Sequence, residues 1–497
     1  MTSLSADTKL SNATLDRLPA SVHRPAYDRT AVTPGIVHIG IGAFSRAHLC
    51  VYTEERIAAG ETSWGLIGVD PMGPALRDVL RAQDGLYTLV VREAKGDAPR
   101  VVGSIVGAYC LPDDTQEILA RMADPATRIV TITVSEKGYC QDAATGNLDE
   151  KHPLIAADLA NPTAPRSVPG LITEALARRR AAGVPPFTVL SCDNLSENGH
   201  KAHRIITRFA TVRDAALGAW IEQNVAFPCT MVDRITPATT DAVRADATKL
   251  LGMEDGWPVV TEPFIQWVVE DNFTLGRPAW EKAGATMVKD VVPFEMMKLR
   301  CLNGSHSALA YLGTLLDRET VYDAMSDKLC NAFVHRLWAE DLVPTVPAIP
   351  GVDVPDYTRQ LEERFLNPRI RHLTIQISSD GSQKLPPRLL EPALERLKAG
   401  AEPRCVAFLV AAWMRFLSEK SESGRAYKVA DPLAARLTAI AAEKHGAAAL
   451  AEALFGISDI FTPELLTFEG FRKDVLTSLE SILSLGTAKA LGKFLGA

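Results

Sequence analysis

The chain has 497 residues, 47% hydrophobic and 23% charged, with a formal net charge of −7. That is the composition of an ordinary globular protein too long for one core, so two domains are expected. The acidic balance argues against nucleic acid as a partner, and the longest apolar run, Cys405 to Met414, is too short to cross a bilayer.

Residues 1–34 are polar, with no apolar leader, and carry Pro19, Pro25 and Pro34. They read as an irregular arm on a cytoplasmic protein. Ile36 to Ile39 is a short apolar run that ends in Gly40-Ile41-Gly42, and helical character follows from Ala43 to His48. Strand, glycine turn and helix follow in order. A second strand fits residues 64–69 and ends at Asp70. Further strands are expected at 87–91, 101–106, 129–134 and 187–191, with helices at 115–122 and 170–182 among them. This alternation predicts an α/β fold: a Rossmann-type, doubly wound, mostly parallel sheet. Residues 259–269 add strands that Pro263 would interrupt. From Pro293 onward the pattern turns helical, over 294–316, 325–341, 355–366, 404–419, 431–445 and 447–455. The predicted division is therefore a dinucleotide-binding domain at 1–290 and a mainly α-helical C-terminal domain at 291–497.

Gly40-x-Gly42-x-x-Ser45 keeps two of the three small positions of a dinucleotide fingerprint as glycine. The first permits a tight turn and the second lets a pyrophosphate approach the backbone. Asp70, at the end of the next strand, is placed to accept from the adenosine ribose hydroxyls and disfavours a 2′-phosphate, so NAD is expected over NADP. It lies further along than the usual ~20 residues, which implies a long first crossover.

Lys298, Asn303 and His306 fall on one predicted helix just after Pro293. At 100° per residue Asn303 lies about 140° around from Lys298, and His306 about 80°, so all three can look into one cleft. A Lys with a lowered pKa can take a hydroxyl proton, an amide can donate to a developing alkoxide, and an imidazole can orient the oxygen. An ordinary helix with one polar edge has the same pattern. The eight Cys form no C-x-x-C pair, and no Cys/His cluster has ligand spacing, so no metal is expected and a side chain must act as base.

Several stretches are familiar together: Val37 to Phe44 with Arg46-Ala47-His48, Ser135-Glu136-Lys137-Gly138-Tyr139, Ser191-Cys192-Asp193-Asn194-Leu195, Phe227 to Ile235, Trp267 to Asp271, Met297 to His306, and Asp380 to Pro386. The set resembles the long-chain mannitol dehydrogenase family, which includes mannitol 2-dehydrogenase, arabinitol dehydrogenase and fructuronate reductase. The likeness runs from about residue 20 to 480. Ser45 departs from it, since the family commonly has His there. The resemblance implies metal-independent hydride transfer between a nicotinamide and a sugar carbonyl or polyol hydroxyl. It maps the catalytic Lys to Lys298, two amide donors to Asn194 and Asn303, and a His to His306. Asn194 and Asn303 would approach the alkoxide from different domains. Gly40, Gly42, Phe44 and Asp70 are the candidate cofactor residues.

Within the family, Glu197-Asn198-Gly199-His200, Asp290 to Arg300, and Gln383-Lys384-Leu385-Pro386 with Arg388 look closest to fructuronate reductase. A substrate carboxylate wants a cationic partner. Arg300, Lys384 and Arg388 are candidates, although Arg300 points about 160° away from Lys298 on a helix. Lys384 is expected in a Gly/Ser-rich loop. Asp233 joins Arg300 and Lys384 as a candidate substrate-binding residue, and Glu136 is a candidate proton relay that could instead pair with Lys137 or Arg234. A neutral polyol substrate is the alternative, and a catalytically inactive dinucleotide-binding protein a remote one. The expected partners are a small sugar acid or polyol, with no nucleic acid and no membrane. The protein is expected to be a monomer or weak oligomer.

Overall fold

The structure, a computed structural model, describes residues 9–142 and 145–496. The chain divides into two compact units, residues 1–292 and 293–497. The first contains strands β1 (Pro34–Ile39), β2 (Gly65–Asp70), β3 (Tyr87–Glu93), β4 (Gly96–Val102), β5 (Ile105–Cys110), β6 (Ile129–Ile132), β7 (Thr188–Ser191), β8 (Thr230–Asp233), β9 (Val259–Thr261), β10 (Gln266–Glu270) and β11 (Thr286–Val288).

Five of these make an all-parallel sheet in the order β5-β2-β1-β6-β7. The order reverses at β1, which is where an open parallel sheet leaves a crevice beyond its strand ends. Both faces of the sheet are covered. Val37 and Ile39 pack with Ile67, Val69, Val130 and Ile132 against helices 115–123 and 168–181. Ile36 packs on the other side with Leu66, Ile105, Ile129 and Trp64. Burial on both faces is why these strands read as continuous apolar runs. The predicted strand at 101–106 is two strands, parted at Gly103-Ser104. The remaining strands form two three-stranded sheets, β11-β10-β8 and β4-β3-β9. Pro263 interrupts 259–269 as expected, between β9 and β10.

The second unit is helical. Its centre is the apolar helix Arg404–Phe416, buried nearly throughout and packed against Glu469–Leu485 and Gly304–Leu315. Among the described residues, no helix is long and apolar enough to cross a membrane. The helix predicted from 294 to 316 runs through, but with a change of winding. Val292–Met297 is α, Lys298–Asn303 is a π turn, and Gly304–Leu315 is α again. Among the described residues two further π turns occur, Trp338–Leu342 and Pro386–Leu390, and both pack on the first.

Candidate active site

In the first unit a cavity of about 580 Å³ opens at the C-terminal ends of β1, β2, β6 and β7. Gly40, Gly42, Phe44, Asp70, Glu136 and Asn194 are among the residues that line it. Gly40 has φ +99°, and a Cβ there would lie 1.9 Å from the Thr133 carbonyl oxygen, so only glycine makes this turn. Gly42 is different: a Cβ would meet nothing nearer than the Gly40 oxygen at 4.0 Å. Protein packing does not demand glycine at that position, whereas close approach of a phosphate group does. Ser45 is buried, and its hydroxyl donates to the carbonyls of Gly40 (3.1 Å) and Gly42 (3.2 Å). The departure from the fingerprint thus fastens the glycine turn from within. Asp70 is half-buried and its Oδ1 accepts from the Met72 N–H at 2.8 Å. Burial raises its pKa, while the Met72 N–H and Arg46 act the other way.

Asn194 is carried on a loop whose bracing the sequence does not reveal. Its neighbour Asp193 is buried and takes the Val134 and Ser135 N–H groups on Oδ1, at 2.8 and 2.9 Å. The Tyr139 hydroxyl donates to Asp193 Oδ2 at 2.8 Å. Ser135 adopts φ +62°, a left-handed conformation held by this convergence. Asn198, fully buried, closes the other side. Its Nδ2 donates to the Asp193 and Thr230 carbonyls, and its Oδ1 accepts from the Thr230 N–H. The loop after β7 is thereby tied to the loop after β6 on one flank of Asn194 and to β8 on the other.

In the second unit Lys298, Asn303 and His306 share the π turn and the helix that follows it. Lys298 is 7% exposed and His306 8%. At the end of the π turn the Gly304 N–H reaches back to the Leu299 carbonyl, five residues earlier. Residues five apart therefore fall near one face, and Asn303 comes round over Lys298 instead of lying about 140° away. The wider winding leaves carbonyls to be satisfied from elsewhere. Trp338 Nε1 donates to the Cys301 oxygen at 2.9 Å, and Arg388 Nη1 to the Asn303 oxygen at 3.3 Å. Both donors come from the other two π turns.

The His306 ring lies 4.9 Å from Phe365 and stands edge-on to His372 at 5.4 Å. Burial holds its pKa well below the ordinary imidazole value, and His372, Arg388, Arg364 and Lys298 push it further down. His306 is therefore neutral at neutral pH.

The Arg300 guanidinium turns away from Lys298: Nη1 and Nη2 donate to the two Glu395 carboxylate oxygens at 2.8 and 2.5 Å, and Nη1 also to the Thr345 carbonyl. Its charge is committed to holding helices together. Lys384 is not on a loop but on the short helix Gly381–Leu385, with Nζ 3.0 Å from Ser379 Oγ and 3.4 Å from Asp380 Oδ2. Asp233 is buried at the end of β8, opposite Gln266, and is not among the residues lining the cavity. Glu136 accepts from Gln141 Nε2, while Arg234 donates to the Glu262 and Ala47 carbonyls. All eight Cys are buried and unbridged.

The family model described as the mannitol dehydrogenase Rossmann domain matches residues 34–282, and that of the mannitol dehydrogenase C-terminal domain matches 290–483. D-mannonate oxidoreductase of Escherichia coli (strain K12) is 44% identical over 474 residues, covering 95% of this chain and 97% of that one. Mannitol 2-dehydrogenase of Aspergillus terreus is 41% identical, covering 98% and 99%. The ternary complex of Pseudomonas fluorescens mannitol 2-dehydrogenase with NAD and D-mannitol superposes with a TM-score of 0.85 at 38% identity, covering 98% and 99%.

Proposed function

The chain belongs to the mannitol dehydrogenase family of oxidoreductases, and from that premise we propose that it is an NAD-dependent, metal-independent reductase of a sugar keto acid, interconverting D-fructuronate and D-mannonate. The observation that carries the carboxylate in this reading is Arg388. Its half-buried guanidinium lies against the Asn303 backbone and, among the described residues, meets no carboxylate. Burial lowers its pKa to about 10, so it is cationic at neutral pH. A half-buried cation beside a substrate-directed amide suits an anionic substrate and gives a neutral polyol nothing in particular. The likeness to D-mannonate oxidoreductase points the same way.

The cavity over Gly40 and Gly42 fits a dinucleotide, with Asp70 selecting NAD by taking the ribose hydroxyls. When bound, the nicotinamide supplies or accepts hydride at the substrate carbon. Lys298 is the general acid and base: in reduction Nζ gives its proton to the carbonyl oxygen as the C–O double bond opens, and in oxidation it takes that proton back. Asn303 donates an amide hydrogen to the oxygen while it carries negative charge, and Asn194 is the second amide donor that the family resemblance implies. His306, held neutral, orients the same oxygen without adding a competing charge.

The neutral-polyol reading rests on the likeness to mannitol 2-dehydrogenase. NADH consumption measured side by side with D-fructuronate, D-tagaturonate and D-fructose separates the two. Reduction of a keto acid at higher kcat/KM than fructose is expected. Robust fructose reduction with none of either keto acid overturns the substrate assignment.

A further inference from the structure

Next to His306, the second unit holds an imidazole that the proposed reaction does not use. His372 stands edge-on to the His306 ring, with centroids 5.4 Å apart and planes at 85°. His372 Nδ1 and His306 Nε2 are both buried, and neither has a hydrogen-bond partner. Two such nitrogens side by side are costly unless something else completes them.

The segment bearing His372 is fixed in place. The His372 N–H donates to the Ile370 carbonyl at 3.0 Å, and its own carbonyl accepts from the Val321 N–H at 2.9 Å. Two residues on, the Thr374 hydroxyl donates to the carbonyls of Arg318 and Glu319. The ring is thus held by its backbone on both sides, and its unpaired nitrogen is not a product of a loose loop. The charged groups acting on His306 are Arg388, Arg364 and Lys298, all cationic, whereas on His372 burial alone is felt. Arg388 spends only Nη1, on the Asn303 carbonyl and Ser307 Oγ, both at 3.3 Å. Among the described residues Nε and Nη2 of Arg388 make no hydrogen bond, and no acid forms an ion pair with it.

We propose that His372 is a substrate-binding residue, and that its imidazole together with the Arg388 guanidinium receives the substrate carboxylate. An incoming carboxylate oxygen satisfies the unpaired His372 nitrogen and the open edge of Arg388 at once, and it offsets the accumulated positive charge. This assignment rests on the keto-acid reading and moves carboxylate recognition away from Arg300 and Lys384, whose charged groups already have partners.

The test uses His372→Phe, which keeps a ring of similar packing, and His372→Asn, which keeps a side-chain donor. His372 is chosen over Arg388 because Arg388 also holds the Asn303 carbonyl. Two quantities are measured: kcat and KM with NADH for D-fructuronate and D-fructose, and the Kd of D-gluconate, a carboxylate without a ketone, by calorimetry. For His372→Phe we expect the fructuronate KM and the gluconate Kd to rise by roughly 10-fold or more, the range for losing a hydrogen bond to a charged group. The fructose KM should stay within about 2-fold, and His372→Asn should recover part of the loss. Unchanged fructuronate KM and gluconate Kd in both variants overturn the assignment. So does an equal loss on both sugars with gluconate binding intact, which marks His372 as structural. Failure of the keto-acid reading itself has a different signature: wild-type protein that reduces fructose and not fructuronate. In that event gluconate binding decides, since its weakening in both variants sustains the anion site and its indifference removes it.

Discussion

Trp338 Nε1 donates to the Cys301 carbonyl at 2.9 Å, from one π turn into another, and so fastens the segment that carries Lys298 and Asn303. The indole also stacks on Phe365, which in turn touches His306. The Cys301 oxygen has a second donor in Ser305 Oγ at 2.6 Å. Trp338→Phe should therefore cost about 1 kcal/mol of stability and not the larger figure for an orphaned carbonyl. Its effect on turnover should be out of proportion. A loosened π turn misplaces the two groups proposed for catalysis, so kcat is expected to fall by roughly 10-fold while NADH affinity holds. Equilibrium unfolding and steady-state kinetics check this, and a kcat that merely tracks the lost stability argues against the positioning role.

The strand–glycine turn–helix at 34–47 was legible because burial on both sheet faces leaves apolar runs between glycines, and Gly40 advertises a positive φ. The π turns were not legible. A shift from i→i+4 to i→i+5 bonding alters no composition, so counting at a fixed angle of 100° per residue set Asn303 about 140° from Lys298. Lys384 was expected on a loop because its segment is rich in Gly and Ser, yet the segment is helical, its first turn fastened where Ser382 bonds Asp431. The bracing roles of Asp193 and Asn198 were not legible for a related reason. Their work consists of hydrogen bonds to residues tens of positions away, which no local pattern reports.

Asp70 is expected to set the cofactor preference. Asp70→Ala removes both a ribose acceptor and a charge that repels a 2′-phosphate, so the kcat/KM ratio of NADPH to NADH should rise by about 10-fold or more. The variant should also lose some stability, since Oδ1 caps the turn at Met72. Wild-type protein that uses NADPH as well as NADH contradicts this role.

His38 should make stability fall on mild acidification. It is fully buried in β1, with Nδ1 2.7 Å from Thr131 Oγ1 and Nε2 3.0 Å from the Gly40 carbonyl, and burial lowers its pKa from 6.5 to about 4. Above pH 6.5 the ring is neutral in both folded and unfolded chains, and its contribution is complete. As pH falls below 6.5 the unfolded chain takes up a proton that the folded one refuses, so stability declines until about pH 4. At ~1.4 kcal/mol per pH unit the loss over that window is about 3 kcal/mol. Denaturant unfolding at pH 7 and pH 5 should show a steeper pH dependence in wild type than in His38→Asn. Equal slopes contradict the prediction.

The proton-transfer role proposed for Lys298 is tested most directly by Lys298→Ala. The measurement is kcat at neutral pH in the reductive direction, with the NADH dissociation constant taken on the same preparation. We expect kcat to fall by at least ~100-fold, as for loss of a positioned proton donor, with NADH binding changed by no more than about 2-fold. A variant that retains near-native turnover at neutral pH contradicts the assignment of Lys298 as general acid and base.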